Sequence, residues 1–248
     1  MAAILLFPVG LVLGSFLTVV AHRLPRGESV VGGRSRCPAC GAQIAAYDNV
    51  PVFSWLALRG RARCCGAPIS PRYPLTELTL GVLYAATALV LWDEPGEVAL
   101  GLVFVTMLLA ITLTDLERRI IPNKILIVAT VIGVAIAAAT DPGSLPERAI
   151  AASAAGGLLF AAALAYPRGM GLGDVKLAAT MGLFLGRDVA PALFVALLAG
   201  SLVGLALIAR DGAEARKRAI PFGPFLALGG VVGLLAGNEL IEWYLGTF

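Results

Sequence analysis

Apolar residues in this chain run in long blocks separated by shorter polar stretches, and eight such blocks can be drawn. They lie at roughly 3–21, 74–92, 97–114, 122–139, 147–166, 175–186, 189–209 and 221–238, and most approach the ~20 residues a helix needs to cross ~30 Å of hydrocarbon. The sixth is short. The pattern predicts an all-α membrane protein, a polytopic bundle of about eight transmembrane helices. The first block has no basic residue before it, no small-x-small cleavage site after it, and Arg23 at its end, so it reads as a retained anchor. The longest polar stretch, 22–73, predicts a small cytoplasmic cysteine-bearing loop domain between the first helix (1–21) and a transmembrane core (74–248).

Composition agrees. The chain is 58% hydrophobic and 14% charged, against about 25% charged for ordinary soluble domains. A single soluble core is therefore excluded. Lys and Arg accumulate on the cytoplasmic side of membrane proteins. Here seventeen of nineteen basic residues fall in alternate loops, at 22–73, 115–124 (Arg118, Arg119, Lys124), 167–176 (Arg168, Lys176) and 210–220 (Arg210, Arg216, Lys217, Arg218). The remaining two, Arg148 and Arg187, sit in acidic loops. Eight spans with both termini outside satisfy this bias, and the net charge of +3 is absorbed by topology and anionic headgroups. No nucleic-acid partner is implied. Gly200/Gly204 and Gly229/Gly233/Gly237, four residues apart, suit close helix packing in lipid.

His22 is the only histidine, so neither a Ser-His-Asp triad nor a two-histidine zinc protease finds its motif. A Cys–His pair stays open by count alone, although an interfacial histidine is the simpler reading. Two acids stand out instead. Asp115 closes the third block in Leu113-Thr114-Asp115-Leu116-Glu117-Arg118-Arg119-Ile120-Ile121-Pro122-Asn123, where Pro122 can begin the next helix. Asp174 opens the sixth in Gly169-Met170-Gly171-Leu172-Gly173-Asp174-Val175-Lys176-Leu177.

Singly, each acid has an ordinary role, Asp115 as an interfacial charge near arginines and Asp174 as a helix N-cap. Together they are what acid–base peptide hydrolysis requires: one protonated carboxyl to polarise a carbonyl and one carboxylate to activate water. Gly171 and Gly173 would let an extended substrate approach Asp174 and let the loop adopt positive φ, with Lys176 as a further shaper of that loop. Asp115 at a helix C-terminus and Asp174 at an N-terminus should also differ, the first being protonated more easily and the second being the better base.

On these residues the chain resembles the type IV prepilin peptidases, membrane aspartyl proteases of the GxGD type. The resemblance runs nearly end to end through Gly14–Val20 with Arg23-Leu24-Pro25, Cys37-Pro38-Ala39-Cys40, Asp48-Asn49-Val50-Pro51, Ser54-Trp55-Leu56, Ile69–Leu78, Asp115 with Ile121-Pro122-Asn123, Gly171–Leu177, and Pro221-Phe222-Gly223-Pro224-Phe225. It implies that Asp115 and Asp174 are the catalytic pair. It further implies prepilin or pseudopilin substrates of type IV pilus or type II secretion systems, cut after a Gly ending a short basic leader, at the cytoplasmic face of the bacterial inner membrane. Many relatives also methylate the new N-terminus with S-adenosylmethionine, which would make the enzyme bifunctional. No nucleotide fingerprint in this sequence supports that second activity independently.

Four cysteines in one cytoplasmic loop point to metal rather than disulfides, since that compartment is reducing. Cys37-Pro38-Ala39-Cys40 is half of a four-thiolate zinc site. The second half departs from the expected spacing. The family pattern has a cysteine where Ala62 stands, whereas this chain has adjacent Cys64 and Cys65. Cys64 completing the set, three thiolates with another ligand, and no metal are all compatible with the sequence. Thr18 likewise stands where the family usually has Asn. Proteolysis by two aspartates needs no metal, so these departures bear on the loop and on methyl transfer. The Pro221–Pro224 segment reads as a rigid helix start rather than a substrate contact. Two readings of other classes are an ion-coupled carrier using the two membrane-edge aspartates and a non-catalytic assembly factor docking through the cysteine loop.

Overall fold

The computed structural model describes residues 2–30, 35–167, 169–212 and 220–247. Arg34, Arg168, Arg216, Lys217 and Arg218, which the charge pattern assigns to cytoplasmic loops, lie outside the described residues. Among those described there are nine α-helices and no β-strand, only two isolated bridges. The chain divides into two compact units, 1–92 and 93–248.

The first unit pairs α1 (Ala2–Arg23) with α3 (Arg72–Val90), and between them runs the loop carrying the short α2 (Phe53–Ala57). The two long helices are antiparallel and nearly touch along their backbones. A Cβ on Gly14 would lie 2.7 Å from Glu77 Cα, and one on Gly10 would lie 2.7 Å from Leu80 O. Small residues permit this approach, and it replaces the hydrophobic driving force that lipid removes. Glu77, buried in α3, accepts the N–H of Val52 at 2.7 Å and so ties the loop to the helix pair.

The second unit contains α4 (Pro95–Arg118), α5 (Asn123–Thr140), α6 (Leu145–Ala165), α7 (Leu172–Leu185), α8 (Val189–Asp211) and α9 (Gly223–Leu245). By length and hydropathy seven stretches among the described residues qualify as spans, because Leu172–Asp211 counts as one run of 40 residues. Packing separates that run into α7 and α8. Met181 and Leu185 of α7 meet Gly230 and Gly233 of α9 in the same order, so these helices are parallel; Ala196 and Ala192 of α8, and Asp188 that caps it, meet Gly229, Gly233 and Gly237 in reverse order. The chain turns back at Gly186, whose φ of +56° suits glycine. The eight long helices thus follow the eight apolar blocks. Leu, Val and Ile side chains such as Leu89, Val128, Ile150 and Leu205 stay exposed around them, as a lipid-facing surface requires.

At 14 residues α7 is the shortest of the eight, about 21 Å long. Its C-terminal carbonyls are held by Arg148, which donates to Phe184 O at 2.6 Å, to Ser144 Oγ at 3.0 Å, and pairs with Glu97 of α4. Charge counting placed Arg148 in a loop; it lies in the first turn of α6 and is buried. The guanidinium is fully engaged there, which makes burial tolerable.

Candidate active site and cysteine loop

Helix α4 ends where Arg119 adopts the left-handed conformation (φ 56°, ψ 41°) and donates its N–H to Asp115 O at 2.8 Å. The turn that follows, through Pro122, starts α5 one residue later than expected, with Pro122 as N-cap rather than first helical residue. Asp115 is therefore on the last turn of α4, 5% exposed. Asp174 is the third residue of α7, not its N-cap. The cap is Gly171, whose N–H donates to Asp174 Oδ2 at 3.2 Å.

Both carboxylates open onto one cavity of about 560 Å³, lined also by Arg119, Asn123, Met170, Lys176 and Phe222. Two connections bring the α4–α5 turn to the start of α7. Lys176 Nζ donates to Asn123 Oδ1 at 3.1 Å, and a Cβ on Gly173 would lie 3.1 Å from Ile121 Cβ. Gly173 is thus small for packing. The expected positive φ is absent from the motif: Gly171 has φ −85°, and neither it nor Gly173 is among the left-handed glycines. A Cβ on Gly171 would meet Asp174 Oδ2 at 3.5 Å, an ordinary contact.

One contact was not foreseen. Asp115 Oδ2 accepts the N–H of Gly223 at 2.9 Å, a buried bond to the first residue of α9. The expected asymmetry between the acids rested on Asp115 seeing only the C-terminal end of α4. In the folded chain it also faces the N-terminal end of α9, which offsets part of the unfavourable dipole of the α4 C-terminus. No sequence signal links Gly223 to Asp115 across 108 residues; only the Pro-Phe-Gly-Pro pattern marked the segment.

The cysteines fold into two turns of the same design, 25 residues apart. In the first, Cys37 N–H donates to Ala42 O and Gly41 N–H to Cys37 O; in the second, Ala62 N–H donates to Ala67 O and Gly66 N–H to Ala62 O. Arg36 bridges Gln43, and Arg61 bridges Pro68. Ala62 therefore occupies the place of Cys37, and Cys65 that of Cys40. Cys64, one residue earlier, turns its sulfur into the same space: Cys37–Cys65 is 3.7 Å, Cys40–Cys64 3.4 Å and Cys64–Cys65 3.9 Å, with all four sulfurs within 4.8 Å. A tetrahedron of thiolates at 2.3 Å from a metal has sulfurs about 3.8 Å apart. The four sulfurs lie close enough together to hold a metal ion.

Backbone N–H groups of Cys40 and Ala39 aimed at the Cys37 sulfur bring its pKa down to about 7. The sulfur contact with Cys40, followed by desolvation, pushes the Cys64 thiol up to about 12. Arg63 clamps Asp48 with three hydrogen bonds of 2.9–3.0 Å and stacks 5.6 Å over Tyr47, which holds the second turn against the 46–49 segment. His22 stands outside both constellations described above.

Fold and site together define a class: a polytopic membrane protein holding two carboxylates in a cavity shared by helix ends. Family models narrow it. The bacterial peptidase A24 N-terminal domain matches residues 9–91, and the type IV leader peptidase family matches residues 102–209. A prepilin leader peptidase/N-methyltransferase from Aeromonas hydrophila is 36% identical, covering 98% of this chain and 94% of that protein. The protein of that name from Bacillus subtilis (strain 168) is 33% identical over 97% of both chains, and one from Burkholderia pseudomallei (strain 1026b) is 35% identical over 93% and 84%. No solved structure matches the chain. The chain belongs to the type IV leader peptidase family. The carrier reading gains no support from these relatives.

Proposed function

We propose that this protein is an aspartic endopeptidase that hydrolyses the bond after a leader Gly in prepilins or pseudopilins, with Asp115 and Asp174 as the catalytic pair. The observation that carries the reading is that both carboxylates open onto one cavity while each has its Oδ2 held by a backbone N–H. Among the described residues that leaves each Oδ1 for water and substrate. The ionised carboxylate takes a proton from water as the water oxygen attacks the scissile carbonyl carbon, and the protonated carboxyl donates to the carbonyl oxygen. Collapse of the diol breaks the C–N bond and returns a proton to the leaving amine. The substrate must be unwound at this point, since helical carbonyls are engaged, and a Gly favours that.

Loop charge supports an orientation in which the cavity faces the cytoplasm and both termini lie outside, in the bacterial inner membrane. Cys37, Cys40, Cys64 and Cys65 are the ligands we assign to a structural zinc ion. When bound, zinc would supply a cross-link between the two cysteine turns and no step of proteolysis. Methyl transfer from S-adenosylmethionine to the new amine follows from the names of the relatives alone. No residue is assigned to it.

The test is cleavage of a prepilin-like substrate in lipid by wild type, Asp115→Asn and Asp174→Asn, with mass spectrometry of the product with and without methyl donor. Loss of cleavage in both variants is expected, and cleavage surviving in either removes the pair. A one-methyl mass gain scores the second activity separately.

A further inference from the structure

We infer that Gly223, the first residue of α9, is a positioning residue for proteolysis: its N–H fixes the rotamer of Asp115 so that Oδ1 faces the cavity. The inference rests on the catalytic reading of Asp115. Its basis is geometric. The N–H of Gly223 donates to Asp115 Oδ2 at 2.9 Å in a buried setting. It is one of the four N–H groups that a helix start leaves without an internal partner, and a carboxylate is the acceptor that such a group binds most strongly. The position is also tight for any other residue, because an added Cβ would lie 2.7 Å from Asp115 Oδ2 and 3.2 Å from its Cγ and the carboxylate would have to shift.

The flanking residues hold that N–H in place. Phe222 packs into the notch left by Gly200 of α8, where a Cβ would be 3.0 Å from its ring, and lies 6.2 Å from the Phe225 ring. Pro224, at the second helical position, forgoes an N–H that would have no partner there and restricts the backbone. The Pro-Phe-Gly-Pro segment is thus a rigid mount for one donor aimed at one carboxylate. It explains why a segment remote in sequence from both aspartates lines their cavity.

The test compares full-length wild type with Gly223→Ala, Asp115→Asn and Gly237→Ala in lipid. Gly237 lies toward the other end of α9, where a Cβ would meet Asp188 Cβ at 2.6 Å, so its variant reports a packing fault alone. Gly223→Ala is expected to lower kcat about tenfold or more, leave KM within about twofold, and displace the pH–rate profile. Gly237→Ala should lower thermal stability without displacing that profile. A Gly223→Ala enzyme with wild-type kcat and profile, beside an inactive Asp115→Asn, overturns the positioning role and leaves the catalytic pair standing. Active Asp115→Asn overturns both. A second measurement needs no change at Gly223: in glycine-labelled protein the Gly223 amide resonance should move with Asp115→Asn and hold still with Asp174→Asn. An amide indifferent to Asp115→Asn also overturns the inference.

Discussion

Gly171 and Gly173 stand two residues apart in the motif that bears Asp174, and the structure gives them different surroundings. A Cβ on Gly173 would sit 3.1 Å from Ile121 Cβ and 3.4 Å from its Cδ1, so either Ile121 or the start of α7 must yield by a few tenths of an ångström. Ile121 lies in the α4–α5 turn, and the displaced partners are the two segments whose separation sets Asp115 against Asp174. If an error of 1 Å in such a site costs roughly 10²-fold, a few tenths should cost roughly three- to tenfold, or about 1 kcal/mol of transition-state stabilisation. On Gly171 an added Cβ makes only ordinary contacts, with Asp174 Oδ2 at 3.5 Å and Gly173 N at 3.9 Å, the backbone there is in the extended region open to any residue, and the N–H donated to Asp174 is kept. Gly171→Ala should therefore change kcat by less than about twofold, if the glycine serves the loop and not the substrate. The assay is steady-state cleavage of a prepilin-like substrate in lipid, normalised to folded protein. If Gly171→Ala loses as much activity as Gly173→Ala, or more, the packing account is refuted and close approach of a substrate backbone to Gly171 takes its place.

Arg148→Met should lower the stability of the second unit by roughly 2–4 kcal/mol, since it strips the partner from Glu97 and the donor from the end of α7; thermal unfolding in detergent measures this, with Glu97→Gln in the same chain recovering part of the loss. In the cysteine loop, Cys64→Ala should weaken zinc binding by more than about tenfold in a chelator competition, and adding Ala62→Cys should restore it, because position 62 stands where Cys37 stands in the first turn. Tight binding by Cys64→Ala alone would remove Cys64 from the ligand set.

The sequence by itself determined the class of fold. Hydrophobic blocks long enough for a bilayer leave helices as the means of satisfying backbone groups in hydrocarbon, and that constraint is local enough to read along the chain. Asp115 and Asp174 were also legible as a pair, since their neighbours carry a family's ordered motifs. What the sequence could not decide depends on contacts between distant residues. The short sixth block was readable as a block of its own, but only packing shows that α7 and α8 run in opposite directions, with Gly186 turning the chain and α9 receiving one parallel and the other antiparallel. Gly173 also packs closely on Ile121, a contact that the motif by itself did not show. Cys64 broke the expected spacing, yet its sulfur reaches the other three because the two turns face each other across the loop. Asp115 looked like an acid at an unfavourable helix end until α9, more than a hundred residues later, brought the Gly223 N–H to its carboxylate. Periodicity and spacing record what each segment does with its own neighbours; the partner of a buried carboxylate is chosen by packing, which one segment alone does not encode.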